Sequence, residues 1–210
     1  MTTLLFDLDG TLVNSSKGII NAFRYTIERL DLPTHSDEQL LEYIGPPLEA
    51  TFTKFYTEKQ GVDKAIKTFR EYYNKNGVYE TELYSGIFTL LNDLKKSSHP
   101  IYVTTSKNEP MANLMLENLH IKEYFTGVYG ALPNRYHKAD IIDFAIKSHS
   151  LDKKTTIIVG DTIYDMIGGK KNNIRTLGVT WGFGKEKDLI INGADIICHH
   201  PKDIKKHLKL

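Results

Sequence analysis

The run Phe6-Asp7-Leu8-Asp9-Gly10-Thr11 puts two carboxylates two residues apart, directly behind the apolar stretch Leu4-Leu5-Phe6. A strand alternates its side chains with period two, so both aspartates would share one face. Gly10 permits the backbone turn that must end such a strand. The product is a pair of acids and a loop of N–H groups at the tip of a buried strand, a place able to hold a metal ion and a phosphate together. Further along come Thr104-Thr105-Ser106-Lys107, then Lys138, then Gly160-Asp161-Thr162-Ile163-Tyr164-Asp165. Hydroxyls, a lysine and two more carboxylates complete a set of groups suited to phosphoryl transfer with a divalent metal.

These groups act together only if the fold gathers them, and the pattern around them says how. Leu4–Leu8, Pro100–Thr104 and Thr156–Val159 read as buried strands, Gly127–Tyr129 as a short one, and Thr176–Thr180 and Asp195–Cys198 complete the set. Between them fall helical patterns: Ile87, Leu90, Leu91 and Leu94 mark one face. Asn108 is placed to cap a helix running to about Leu119, with Pro110 in its first turn. Helices are also expected over Lys138–Ser148 and from about Tyr164. Strands spaced by helices imply an α/β fold with a parallel sheet. Ligands bind such sheets at the carboxyl ends of the strands, where every group named above would lie.

Residues 14 to 80 break this alternation. They carry no convincing strand and are helical in pattern, with Ile19, Ile20, Phe23, Ile27 and Leu30 on one face and Phe52, Phe55 and Tyr56 on another. The expected division is a core of residues 1–13 and 81–210 and a helical cap of residues 14–80 inserted behind the Asp tip.

Composition narrows the class. With 210 residues and a hydrophobic fraction of 40%, the chain can bury an ordinary core. A net charge of +1 argues against nucleic acid or an acidic membrane as the main partner. The single cysteine, Cys198, excludes an intrachain disulfide and favours a reducing compartment; its place in Ile196-Ile197-Cys198 is that of a small apolar filler. No apolar run approaches a membrane span, and no secretion signal is read at the start, so a cytoplasmic protein is expected. His199-His200 beside Cys198 lack the second pair that a zinc site needs.

On its motifs the sequence resembles the haloacid-dehalogenase superfamily phosphatases that carry a helical cap after the first motif. It is most similar to the phosphoglycolate-phosphatase-like and bacterial 5′-nucleotidase-like branch. The likeness spans essentially the whole chain: Asp7-Leu-Asp9-Gly-Thr11, a hydroxyl after an apolar strand best aligned at Thr105, Lys138, and Gly-Asp161-Thr-Ile-Tyr-Asp165. Ile44-Gly45-Pro46-Pro47-Leu48 and Trp181-Gly-Phe-Gly also resemble that branch. The resemblance implies a Rossmann-like core and a reaction through an aspartyl-phosphate at Asp7. Asp9 would protonate the leaving oxygen and then activate water. Mg²⁺ would be held by Asp7, the backbone carbonyl of Asp9, Asp161 and, directly or through water, Asp165. Thr105, Lys138 and N–H groups of the first loop would bind phosphate oxygens, with Thr11 and Ser106 beside them, and Lys138 would hold Asp7 by charge.

Three positions depart from that branch. Ser106 stands where Asn is frequent, no proline follows Lys138, and Gly168-Gly169 replaces a more alanine-like helix interior, which suggests close packing there. The substrate is expected to be a small phosphorylated metabolite: phosphoglycolate, a nucleoside monophosphate or pyrophosphate. The Gly45-Pro46-Pro47 turn is the candidate rigid element of the cap, and Lys17 and Arg24 are read as surface charges. A monomer is expected, with a dimer the alternative. A phosphoryl transferase such as a hexose-phosphate mutase, or a non-catalytic regulatory protein, could be built on the same core.

Overall fold

A computed structural model describes residues 1–208. The chain opens with β1 (Thr3–Phe6) and, after a tight loop, β2 (Val13–Asn14). It then builds a helical unit, Ser15–Glu82, from α1 (Ser16–Arg29), α2 (Asp37–Leu41), α3 (Leu48–Phe52) and α4 (Lys59–Tyr72), whose end continues as one π-turn over Tyr73–Gly77. After β3 (Glu82–Leu83) come α5 (Ile87–Lys96), β4 (Ile101–Asn108), α6 (Glu109–Asn118), a 3₁₀ turn at Lys122–Tyr124, β5 (Gly127–Ala131), α7 (Lys138–Ser148) and β6 (Thr156–Gly160). The chain closes with α8 (Ile163–Lys171), β7 (Arg175–Val179), α9 (Glu186–Ile191), β8 (Ile196–Cys198) and α10 (Pro201–Lys206). Among the described residues, 1–14 and 83–208 form one compact unit, and Ser15–Glu82 a second.

The first unit is a six-stranded, fully parallel sheet in the order β5-β4-β1-β6-β7-β8. The α/β class and parallel sheet read from the sequence are what is found. β1 lies in the middle because Leu4, Leu5 and Phe6 are wholly buried on both faces, as strands of a covered parallel sheet must be. On one face Leu5 and Ile158 pack with Tyr102, Ile142, Ile146 and Ile174. Full burial of each such aliphatic side chain is worth about 1.5–3 kcal/mol, so this layer helps hold α7 to the sheet. Gly169 lets α8 approach equally closely: a Cβ there would stand 2.5 Å from Thr176 Cγ2 and 2.6 Å from Ile158 Cγ2. The register sets Phe6 opposite both Val103 and Val159, so the motif residues that follow these three positions lie side by side.

The second unit is held by aromatic rings. Phe23 meets Phe69 at 4.8 Å, Tyr43 at 5.6 Å and Phe52 at 5.7 Å between centroids. Two readings need correction here. The buried stripe of α1 is Gly18, Ala22, Phe23, Thr26 and Ile27, whereas Ile19, Ile20 and Leu30 are only half-buried. The reason is Gly18, whose missing side chain lets α1 meet the backbone of Gly77; a Cβ would fall 2.1 Å from the Gly77 carbonyl oxygen. Phe55 and Tyr56 share no helix with Phe52, because α3 ends at Phe52. Among the described residues, no helix is long and apolar enough to cross a membrane.

Candidate active site

β4 runs four residues further than its apolar run suggests, to Asn108. Asn108 does precede α6, yet its side chain makes no capping hydrogen bond. β6 ends at Gly160, and Thr162 and Asp165 open α8 as a capping box: the Thr162 N–H and hydroxyl both donate to Asp165 Oδ2, at 3.0 and 2.8 Å. That box aims the other Asp165 oxygen back toward the strand ends.

There, Asp7, Asp161 and Asp165 are all buried and offer carboxylate oxygens within 4.8 Å of one another. Lys138, at the first position of α7 and 6% exposed, donates to Asp7 Oδ1 at 2.6 Å and to the Thr104 carbonyl at 2.9 Å. Its ammonium also lies 2.8 Å from Asp165 Oδ1, as an ion pair outside hydrogen-bond alignment. Asp161 accepts from the Thr11 hydroxyl and from the Phe183 N–H, both at 2.9 Å. The Trp181 indole N–H donates to the Thr11 carbonyl at 2.9 Å and ties the same segment to the first loop. Gly10 makes this packing possible: it sits at φ 84°, and a Cβ on it would be 2.1 Å from Asp161 Oδ2.

The electrostatics follow from crowding three carboxylates around one lysine. Burial pushes Asp7 up to about 6, against the pull of Lys138, and the charges of Asp165 and Asp9 add to the rise. Asp161 stands well above the ordinary carboxylate range through burial and the charges of Asp7 and Asp165, despite its bonds from Phe183 and Thr11. Burial opposes the charge of Lys138, but Asp165 and Asp7 overcome it and hold the ammonium above its ordinary value. A buried cluster with an excess of hard oxygen anions fits a divalent cation of the Mg²⁺, Ca²⁺ or Mn²⁺ type, and not a soft-ligand metal.

Asp9 is not part of that cluster. Its carboxylate faces Lys107, with Nζ 2.8 Å from Oδ2 and 3.1 Å from Oδ1. Of the expected metal ligands, the structure gathers the side chains of Asp7, Asp161 and Asp165; the expectation for Asp9 concerned its backbone carbonyl, which the pairing of its side chain with Lys107 leaves untouched. Two expectations about the first loop change. Thr11, expected to meet substrate, is wholly buried and gives its hydroxyl to Asp161. The loop N–H groups, expected to face phosphate, turn inward from Gly10 to Val13: Gly10 donates to Val13, and Thr11, Leu12 and Val13 to Leu8. So tight a loop closes its own hydrogen bonds.

Thr105 is buried, with its hydroxyl oxygen accepting from the Lys107 N–H at 3.2 Å and its own proton left to give. The Thr104 hydroxyl is buried without a hydrogen-bond partner among the described residues. Ser106 is exposed, and Gly45 (φ 109°) and Pro46 lie in the turn between α2 and α3 of the helical unit. Sequence reasoning missed the part of Lys107, which lies in an irregular stretch of β4 between Thr104 and Asn108. It also missed the Phe183 N–H, which no side-chain pattern can signal.

The family model for haloacid dehalogenase-like hydrolases matches residues 4–179, a span that takes in Asp7, Asp9, Thr105, Lys107, Lys138, Asp161 and Asp165. The chain belongs to this family. A 5′-nucleotidase from Pseudomonas aeruginosa is 31% identical to this haloacid dehalogenase-like hydrolase over 189 residues, 89% of this chain and 86% of the relative. A haloacid dehalogenase-like family hydrolase from Streptococcus pneumoniae superposes with a TM-score of 0.95 at 41% identity, over 99% of this chain and 98% of that one. A structure described as a predicted phosphatase from Clostridium acetobutylicum gives 0.93 at 33% identity, over 100% and 99%.

Proposed function

We propose that this hydrolase is a Mg²⁺-dependent phosphatase of small phosphomonoesters that works through an aspartyl-phosphate on Asp7. One observation carries the reading: two carboxylates two residues apart have different partners, Asp7 on Lys138 and Asp9 on Lys107. A nucleophile and a proton carrier need that separation of roles.

The steps balance on these groups. An Asp7 oxygen attacks phosphorus while the bond to the ester oxygen breaks, and protonated Asp9 gives its proton to the departing alkoxide. Water then attacks phosphorus, Asp9 takes its proton, and the Asp7–phosphorus bond breaks to release phosphate. Lys138 keeps Asp7 in line and supplies positive charge where the phosphoryl oxygens gather it; Thr105 has a proton to donate to one of them. Asp7, Asp161 and Asp165 would hold Mg²⁺, which when bound lets the Asp7 and phosphate anions approach each other. Spontaneous monoester hydrolysis is so slow that positioning and charge together must supply on the order of 20 kcal/mol. The name of the Pseudomonas relative puts nucleoside monophosphates first among substrates to try.

The test is phosphate release from nucleoside monophosphates, phosphoglycolate, sugar phosphates and pyrophosphate, with Mg²⁺ and with chelator, against Asp7→Asn as blank. Mg²⁺-dependent release that is absent in Asp7→Asn supports the reading. A folded, Mg²⁺-loaded wild type that releases nothing from any of them refutes it.

A further inference from the structure

Four carboxylates and two lysines meet at these strand ends, and they are not shared evenly. Lys138 serves the buried cluster, while Lys107 meets Asp9 with both carboxylate oxygens in reach. The Lys107 side chain is 8% exposed and that of Asp9 18%, so solvent screens this pair little.

The backbone is bent to bring Lys107 there. Thr104 faces Tyr129 and Asn108 faces Ala131, so four steps along β4 match two along β5. Such bulges re-aim side chains beside active sites. The irregular stretch is tied down from its outer side. Glu109 accepts from the Gly130 N–H at 3.0 Å and pairs with Arg135, which is itself buried and donates Nε–H to the Gly130 carbonyl at 3.2 Å. Gly130 admits the bulge: a Cβ on it would be 2.5 Å from the Lys107 carbonyl oxygen. A strand end so held does not swing freely, and neither does the lysine on it.

We infer that Lys107 is the positioning residue for Asp9, holding its carboxylate apart from the metal-binding cluster and aimed for proton transfer to the leaving group. The inference rests on the phosphatase reading, in which Asp9 carries that proton. Lys107 forms no bond to the reacting atoms; it acts through Asp9.

The experiment compares kcat/KM of wild type, Lys107→Met and Lys107→Gln on two esters, an alkyl phosphate and 4-nitrophenyl phosphate, in Mg²⁺. An alkoxide needs a proton to leave and a nitrophenolate hardly does. Both variants should therefore lose on the order of 10²-fold on the alkyl ester and about threefold or less on the nitrophenyl ester. Their melting temperatures should still rise with Mg²⁺, since the cluster that binds it is intact. Equal losses on both esters would overturn the inference, because Lys107 would then act on the phosphate itself. No loss on either would overturn it too. A wild type inert toward both esters would overturn the phosphatase reading and this inference together; an active wild type with unaffected variants would overturn the inference alone.

Discussion

Replacing Asp7 with asparagine should abolish turnover and, without metal, make the protein more stable. The Asp7 carboxyl is raised from 3.8 to about 6, chiefly by burial. Between about pH 4 and pH 6 the folded chain therefore holds a proton that the unfolded chain has released. Stability falls as pH rises through that window, and the loss is complete above it. Roughly two pKa units amount to about 3 kcal/mol at pH 7.5. Asparagine cannot ionise, and it keeps an oxygen to accept from Lys138 Nζ. In chelator at about pH 7.5, Asp7→Asn should melt roughly 5–10 °C above wild type for a chain of this size. The difference should shrink to about half its free energy near pH 5. Excess Mg²⁺ should narrow the gap, because it stabilises the carboxylate form. The assay is thermal unfolding of both proteins in chelator and in Mg²⁺ at the two pH values. A variant that melts at or below wild type in chelator at pH 7.5 would sink the reasoning, since Asp7 would then be stabilising the fold through Lys138 more than burial costs it.

Two further outcomes test the cluster from other sides. Mg²⁺ at about a hundred times its dissociation constant should stabilise the wild type by about 2.7 kcal/mol near pH 7.5. The shift should be smaller near pH 5, where protons on Asp7 and Asp161 compete, and absent in Asp161→Asn; an equal shift at both pH values would contradict the raised carboxyls. Lys138→Met removes the cation that, among the described residues, pairs with both Asp7 and Asp165, and urea unfolding near neutral pH should show a loss of about 3–5 kcal/mol. A loss under 1 kcal/mol would mean that the cluster is solvated well enough to do without the lysine.

Much of this site could be read before any coordinates. Each strand that carries a motif is a short apolar run, and a parallel sheet presents the residues after such runs along one edge. The meeting of Asp7 and Asp161 was legible on that basis alone. Gly168-Gly169, read as a sign of close packing, does admit Thr176 and Ile158 against α8. What escaped has a common cause. The buried face of α1 follows Gly18, because a missing side chain can define a contact as firmly as a large one. The N–H groups of Gly10 to Val13 were read as open to a ligand because sequence shows donors and not where they point. Thr11 was read as a substrate contact because a hydroxyl near two acids has several possible partners, and only packing chooses among them.

Residue types and their order along the chain were enough to point to four carboxylates and Lys138, each at the end of a strand or the start of a helix. Tertiary structure alone decided which charge faces which. Lys138 reaches Asp7 across 131 residues, and Lys107 reaches Asp9 across 98. Pairings at such distances depend on strand register and, for Lys107, on a bulge that two extra residues of β4 create against β5. No local propensity encodes either one. They arise from the cost of leaving any of these charges buried without a partner, a cost the chain can settle only once its strands lie side by side.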